Sequence, residues 1–214
     1  YYAYLTDRHL SDVKQDFVAY TQAVEKIKQT YYLNFLQIWH QAVTNLQGET
    51  DQPHRLMGDI CDSEVMLGQF EQNNVTTPMA YIYVNRLMLN YLFGHETKAV
   101  KITPLADEYA QMVPATLLIP IVNFYGSLAK LVCYPQVSDV QQSEWLENVY
   151  KNQNKLQHWS TSAPENYQHK YDLVAAELYW VIGQKLDAME KYDSAIAGAK
   201  ANAYIQEEAL ANEL

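Results

Sequence analysis

Cysteine, glycine and proline are all scarce in this chain. Its 214 residues include two cysteines, seven glycines and seven prolines. The two cysteines, Cys61 and Cys133, belong to no C-x-x-C pair, so the sequence predicts neither a disulfide framework nor a zinc knuckle. Because free thiols suit a reducing compartment, we expect a cytoplasmic protein.

Motifs that carry catalysis or hold metals and nucleotides are also missing. The chain has no G-x-S-x-G elbow, no Walker A sequence and no G-x-G-x-x-G loop, and its six histidines include no H-E-x-x-H. Asp59, Asp62 and Glu64 lack the residue order of a calcium loop. Asp62 or Ser63 is instead predicted to cap a helix. We therefore expect no catalytic, metal or cofactor site, and no enzymatic activity of this chain.

Basic residues are fewer than acidic residues. The 15 lysines and arginines face 25 aspartates and glutamates, which gives a formal net charge of −10. This balance argues against electrostatic capture of nucleic acid or of an anionic membrane. Lys98 and Lys101 form the tightest basic cluster, and we interpret them as a solvated helix face. Pro114 and Pro120 interrupt the most apolar span, 112–134, so the span predicts a buried helix and no membrane insertion.

Helical periodicity, by contrast, runs through most of the sequence. From Val13 to Leu46 apolar residues recur every three or four positions. This spacing indicates one long helix or two abutting helices that end at Gly48.

Later segments repeat the helical pattern. Pro78 and Pro164 are each predicted to begin a further helix, because the first position of a helix needs no amide proton. Leu186 and Met189 belong to the apolar pattern of another helix. We predict an all-α fold of about nine helices. The helices are expected to pair as antiparallel hairpins stacked in a tetratricopeptide-like right-handed superhelix.

One segment carries a clear repeat signature. Gly183 is followed by Ala188, Tyr192 and Ala195, the spacing of small and aromatic residues in the second helix of a tetratricopeptide hairpin. Small residues at these positions let the second helix approach the first closely. Tyr192 is predicted to fill the wedge between neighbouring hairpins.

A second segment carries a degenerate copy of the same signature. Gly94, Ala99 and Ala106 repeat the offsets of the first copy, although Thr103 replaces the aromatic residue and Pro104 follows it. The turn signals are also farther apart than the ~34 residues of a standard repeat, so the helices are expected to be longer than usual.

Three segments carry a resemblance to a known family. They read VNRLMLNYLFGHETKAV, NFYGSLAKL and HKYDLVAAELYWVIGQKLDAMEKYDSAIAGAKANAYIQEEALANEL. These segments resemble the helical region of large bacterial, often cyanobacterial, multi-sensor signalling kinases. In that family Ser/Thr-kinase-like and AAA ATPase domains precede the helical region, and a GAF sensor domain with a histidine kinase follows it. The resemblance implies a non-catalytic connector whose partners are neighbouring domains of the same protein or another protein.

The expected domain organisation follows from the strength of these signals. We expect residues 1–214 to form one helical domain, in which 1–75 are poorly marked N-terminal helices and 76–214 hold the hairpins. Apolar residues at helical spacing continue to Leu214. The chain is therefore predicted to be a fragment of a larger protein that supplies a packing partner for its last helix.

Aromatic residues leave a ligand- or peptide-sensing module open as an alternative function. Two sets lie close together in the sequence and are each able to line a groove, although core packing is the commoner role of such residues. The two sets are Tyr31, Tyr32, Phe35 and Trp39, and Trp145, Tyr150 and Trp159.

A homodimer is the other alternative. Apolar residues near the N-terminus follow the four-three spacing typical of a coiled-coil seam. They are Val13, Phe17, Tyr20, Val24, Ile27 and Tyr31. Because the heptad run is short, packing against the following helices of the same chain is favoured.

Overall fold

A computed structural model gives the structure of the protein and describes residues 8–214. This part of the chain holds ten α-helices and one short 3-10 turn, and its only strand-like pairing is an isolated bridge between Met57 and Asp62. The prediction of an all-α fold is confirmed. The described residues divide into two compact units, 8–122 and 123–214. Whether 1–214 acts as a single domain stays a prediction.

The first unit is arranged around one buried helix. Its helices are α1 (Leu10–Lys26), α2 (Thr30–Leu46), α3 (Ser63–Gln72), α4 (Thr77–Leu92), α5 (Glu96–Gln111) and the beginning of α6 (Leu118–Cys133). Helix α4 packs against α2, α3 and α5, and most of its residues are buried. We call residues 47–62, which connect α2 to α3, the α2–α3 loop.

The second unit is arranged around α8. It contains the rest of α6, a 3-10 turn (Tyr134–Gln136), α7 (Asp139–Ser162), α8 (Pro164–Val181), α9 (Lys185–Ala201) and α10 (Ile205–Glu213). Helix α8 packs against α7, α9 and α10. Among the helices of residues 8–214, none combines the length and the apolar composition that a membrane span requires.

The helix starts follow the capping signals of the sequence. The Asp62 carboxylate accepts hydrogen bonds from the backbone amides of Glu64, at 2.9 Å, and Val65, at 3.4 Å. This confirms the predicted cap, because the carboxylate satisfies amides that have no partner inside the helix. Pro78 lies in the first turn of α4, and Pro164 is the first residue of α8.

The long N-terminal pattern folds as two helices. The chain turns between α1 and α2 at Lys28, which has a φ of 56°. Val13 and Phe17 are buried within the first unit, whereas Tyr20 and Ile27 are 59% and 65% exposed. The four-three pattern is therefore split by the turn and half covered by the chain itself. A homodimer stays a prediction.

The last helix is partly covered by its own unit. Leu210 and Ala211 of α10 are buried, and α10 packs against α8 and α9. Ile205 and Leu214 remain exposed. The apolar pattern at the end of the chain is thus shared between a face packed within the second unit and a face open to solvent.

Candidate functional site

The first set of repeat positions lies on the hairpin formed by α4 and α5. Gly94, in the turn, has a φ of 70°, which glycine adopts without the steric cost that a Cβ brings. Ala99 and Ala106 are completely buried on α5, which packs against α4. Thr103, at the position of the missing aromatic residue, is also buried, and its hydroxyl donates to the Ala99 carbonyl oxygen at 2.9 Å.

The second set lies on the hairpin formed by α8 and α9. Gly183, in the turn, has a φ of 85°. Ala188 and Ala195 are buried on α9, which packs against α8. The hydroxyl of Tyr192 donates to the carboxylate of Glu177 on α8. This bond joins the two helices of one hairpin, whereas the sequence placed Tyr192 between hairpins.

The turn end of the α8–α9 hairpin exposes several large apolar side chains. Trp180 is 50% exposed, Leu186 79% and Met189 60%. Leu186 and Met189 are three residues apart on α9 and therefore share a face. The Lys185 ammonium lies 5.2 Å from the centre of the Trp180 ring, within reach of a cation–π interaction. We call Trp180, Ile182, Leu186 and Met189 the turn patch.

The equivalent end of the α4–α5 hairpin is partly covered by another segment of the chain. Tyr91 precedes its turn glycine by the same number of residues as Trp180 does, and Tyr91 is buried. His54 of the α2–α3 loop packs on His95, next to the turn, with the ring centres 3.8 Å apart. One hairpin end is thus contacted by a loop, although Leu92 there remains 37% exposed, and the other end carries a larger exposed apolar group.

Buried amide side chains hold the α2–α3 loop in place. Asn45 of α2 donates from its side-chain nitrogen to the carbonyl oxygens of Pro53, at 3.0 Å, and Arg55. Asn90 of α4 donates to the carbonyl oxygen of His54 at 3.2 Å. Because two helices bind three consecutive carbonyl groups, the middle of the loop has a defined conformation.

The far end of the same loop is fixed by Gln41. Its side-chain oxygen accepts from the backbone amides of Ile60, at 3.1 Å, and Cys61, at 3.3 Å. A Cβ added at Gly58 would lie 2.5 Å from the Gln41 side-chain nitrogen, so a larger residue there would displace the Gln41 amide. Burial raises the pKa of the Cys61 thiol to about 12, which keeps the thiol protonated and unreactive.

A cavity of about 390 Å³ lies between the α2–α3 loop and helices α3, α4 and α5. Its charged lining residues are Arg55, Glu64, Arg86, Lys98 and Lys101. Four of the chain's 15 lysines and arginines therefore line the cavity, together with one of its 25 acidic residues. The Glu64 carboxylate is already paired with the Arg86 guanidinium at 3.0 Å. We call this cavity, which brings four positively charged side chains together, the basic cavity.

His54 lies at the edge of the basic cavity. The Lys98 ammonium is 3.3 Å from the Nε2 atom of His54. Desolvation lowers the pKa of His54, and the nearby His95, Lys98 and Arg55 lower it further. The neutral imidazole therefore accepts from the ammonium and adds no charge to the site.

The basic cavity was not found from the sequence. Lys98 and Lys101 are exposed, as the interpretation of a solvated helix face requires. Their three-residue spacing places them on one side of α5. Arg55 and Arg86, however, come from a loop and a helix that are distant in sequence, and no spacing rule connects them to α5. The nearest sequence signal was the length of the unpatterned segment before α3, since long ordered loops are often functional.

A buried polar network joins α10 to α8. The Glu207 carboxylate lies 3.2 Å from the Lys170 ammonium and 3.6 Å from Nε2 of His169. The Tyr204 ring packs on His169, with centres 4.4 Å apart. Desolvation lowers the pKa of His169 and of Lys170, and Glu207 opposes both shifts. These contacts position the last helix. The sequence pattern did not predict them, because none of these side chains belongs to a recognised motif.

The two aromatic sets do not form uniform surfaces. In the first set, Trp39 is buried, and the centre of its ring lies 6.2 Å from the centre of the Tyr81 ring. Tyr31 and Tyr32 are exposed. In the second set, Tyr150 is exposed, and Trp145 and Trp159 are half-buried. Each set is therefore divided between packing and solvent.

Within residues 8–214, no group of three or more histidine, cysteine, aspartate or glutamate side chains is placed to share a metal ion. No protein-family model, curated protein or solved structure matches this chain. The resemblance to the helical region of multi-sensor signalling kinases is therefore untested by comparison with known proteins, and it stays a prediction.

Proposed function

We propose that the chain is a non-catalytic scaffold or connector whose turn patch docks against a neighbouring domain or another protein. One observation carries this proposal. The turn patch is exposed at the end of a hairpin, whereas at the same end of the α4–α5 hairpin Tyr91 is buried and a loop of the chain packs on His95. The occupant of the turn patch is accordingly a protein segment such as a loop or a helix end.

The energetics of the turn patch support docking. Removing apolar surface from water stabilises a complex by about 25 cal/mol per Å². Tryptophan and methionine are enriched at the centres of protein interfaces, and Trp180 and Met189 have that role here. Lys185 beside Trp180 supplies a charged rim that stays in contact with water.

A more specific part of the proposal is that the chain connects two other domains of one protein. The family resemblance favours an adjoining ATPase or sensor domain of the same protein as the partner. Stacking of the hairpins in a right-handed superhelix belongs to the same proposal, because stacked repeats touch their neighbours and leave an extended face for partners. A cytoplasmic location is supported by Cys61, whose thiol is free and buried.

Site-specific photo-crosslinking tests the docking surface. A benzophenone amino acid replaces Leu186 in the protein expressed in its natural host, and Val140, an apolar residue of α7 that is 72% exposed, is the matched control. We expect position 186 to give one defined product, in which it is crosslinked to one segment of an adjoining domain or of a single partner protein. Position 140 is expected to give no product. The product is expected to disappear when Met189→Glu is added.

Four results would contradict docking at the turn patch. They are the absence of a product from position 186, equal products from both positions, a product that survives Met189→Glu, and a crosslink to another position within residues 1–214. The last would show that the turn patch is covered by this part of the protein itself.

A further inference from the structure

Within residues 8–214, three cations of the basic cavity have no acidic partner. Arg55 donates to the neutral side chain of Gln52 at 3.3 Å, and Lys98 contacts the neutral imidazole of His54. Lys101 makes no ion pair with any other part of residues 8–214. Like charges that converge on one cavity repel each other, and a bound anion removes that repulsion. The arrangement is unusual in a chain with a net charge of −10.

The lining chemistry indicates the class of anion. A phosphate group carries a charge of about −1.5 to −2 near neutral pH, which balances most of three uncompensated cations, whereas a single carboxylate balances one. The fork of an arginine matches the oxygen atoms of phosphate, and lysine binds phosphate as a point charge. The volume of about 390 Å³ lies within the range of small-molecule sites, which begins at about 300 Å³.

We propose that the basic cavity of the first unit binds a small phosphate-bearing anion, either free phosphate or a low-molecular-weight phosphate ester. Arg55, Lys98 and Lys101 bind the phosphate oxygens, and Arg86, already oriented by Glu64, lies beside them. The site lies entirely within residues 8–122 and does not depend on docking at the turn patch, which belongs to the second unit.

The cavity is organised before a ligand arrives. The carbonyl groups around Arg55 are bound by Asn45 and Asn90, so the loop that carries Arg55 is held against α4. Prior order of this kind reduces the entropy lost when a ligand binds. His54 also lines the cavity, so a dianion bound there favours its protonated form and raises its pKa, which reports occupancy.

An NMR titration of the full chain tests the proposal. Inorganic phosphate, pyrophosphate and glycerol phosphate are added separately at constant ionic strength, with sodium chloride as the reference. We expect saturable shifts at Arg55, Lys98 and Lys101, and a rise in the pKa of His54 at saturation. The ligand with the lowest dissociation constant then distinguishes free phosphate from an ester as the source.

Charge-neutral variants separate a built site from diffuse attraction. The double variant Lys98→Gln and Lys101→Gln is expected to weaken binding at least about tenfold and to abolish the ligand-dependent rise in the pKa of His54. Lys155→Gln, on an exposed position of α7, is the matched control and is expected to change the dissociation constant less than about twofold. Non-saturable shifts with all three ligands, or equal weakening by Lys155→Gln, would overturn the proposal.

Discussion

The side-chain amide of Asn90 donates a hydrogen bond to the carbonyl oxygen of His54 at 3.2 Å and a second to the carbonyl oxygen of Arg86 at 2.7 Å. One buried side chain therefore ties the α2–α3 loop to the helix that supplies a cation of the basic cavity. The contact lies beside both the turn end of the α4–α5 hairpin and the basic cavity, which His54 and Asn90 line.

Removing the Asn90 amide is expected to destabilise the first unit. Asn90→Ala leaves a buried carbonyl oxygen of the loop without its donor, which costs about 1–3 kcal/mol in the free energy of unfolding. Urea denaturation followed by circular dichroism measures this change. Asn202→Ala, which removes an amide bonded to the Gly198 carbonyl oxygen at an exposed site, is the control and is expected to cost less than about 0.5 kcal/mol. Equal costs for the two variants would show that Asn90 does not anchor the loop.

The turn glycine of the second hairpin is expected to resist substitution, and a helix glycine to benefit from it. Gly183→Ala places a Cβ on a residue with a φ of 85°, which destabilises the fold by about 1–2 kcal/mol. Gly68→Ala, within α3 and with open space around the new methyl group, stabilises it by about 0.5–1 kcal/mol. Thermal melting of both variants shows the sign directly, and a Gly183→Ala variant as stable as the parent would contradict the assigned turn.

The buried alanines of α9 are expected to be sensitive to size. Ala188 is fully buried where α9 packs against α8, so Ala188→Leu overpacks the contact and costs about 1–3 kcal/mol. Ala197→Leu introduces the same side chain at an exposed position of the same helix and is expected to have little effect. The comparison is made by denaturant unfolding. If both variants lose similar stability, the small residue at 188 is not needed for close helix packing.

Stability is expected to fall with acidification because of His169. Desolvation is the largest influence on this histidine and lowers its pKa below the ordinary value of 6.5, while Glu207 opposes the shift and Lys170 adds to it. The unfolded chain therefore binds more protons than the folded chain below pH 6.5. The stabilising contribution is complete above pH 6.5 and is lost as the pH falls toward the lower folded value.

Replacing His169 tests that pH dependence. His169→Gln is expected to reduce the slope of unfolding free energy against pH between about pH 6.5 and 5. Part of the slope remains, because burial also lowers the pKa of His40 and of His54. Urea unfolding at a series of pH values gives the slope for each protein. A slope unchanged by the substitution would assign the acid sensitivity to other groups.

The sequence predicted the helical elements well because local signals determine them. Turn glycines, capping residues and the three-to-four spacing act over a few residues, and the structure places Asp62, Pro78 and Pro164 where those signals indicate. Leu186 and Met189 show where the same reasoning fails. They belong to an apolar pattern, yet both are exposed, since the packed face of α9 is formed by small alanines.

The candidate sites depended on contacts that spacing does not encode. The basic cavity unites Arg55 of a loop with Lys98 and Lys101 of a helix that follows two others. The turn patch is distinguished by exposure, since Trp180 is 50% exposed and Tyr91, at the equivalent position of the first hairpin, is buried. Both features arise from tertiary packing, which the order of residue types along the chain does not determine by itself.

Covering of the turn patch in the natural host is the central claim, and oxidative footprinting tests it most directly. Trp180 and Met189 are labelled in cells and in the purified chain, with Tyr150 of α7, whose exposed fraction of 48% matches the 50% of Trp180, as the internal reference. We predict that labelling of Trp180 and Met189 relative to Tyr150 falls several-fold in cells. Equal relative labelling in cells and in the purified chain would contradict the account.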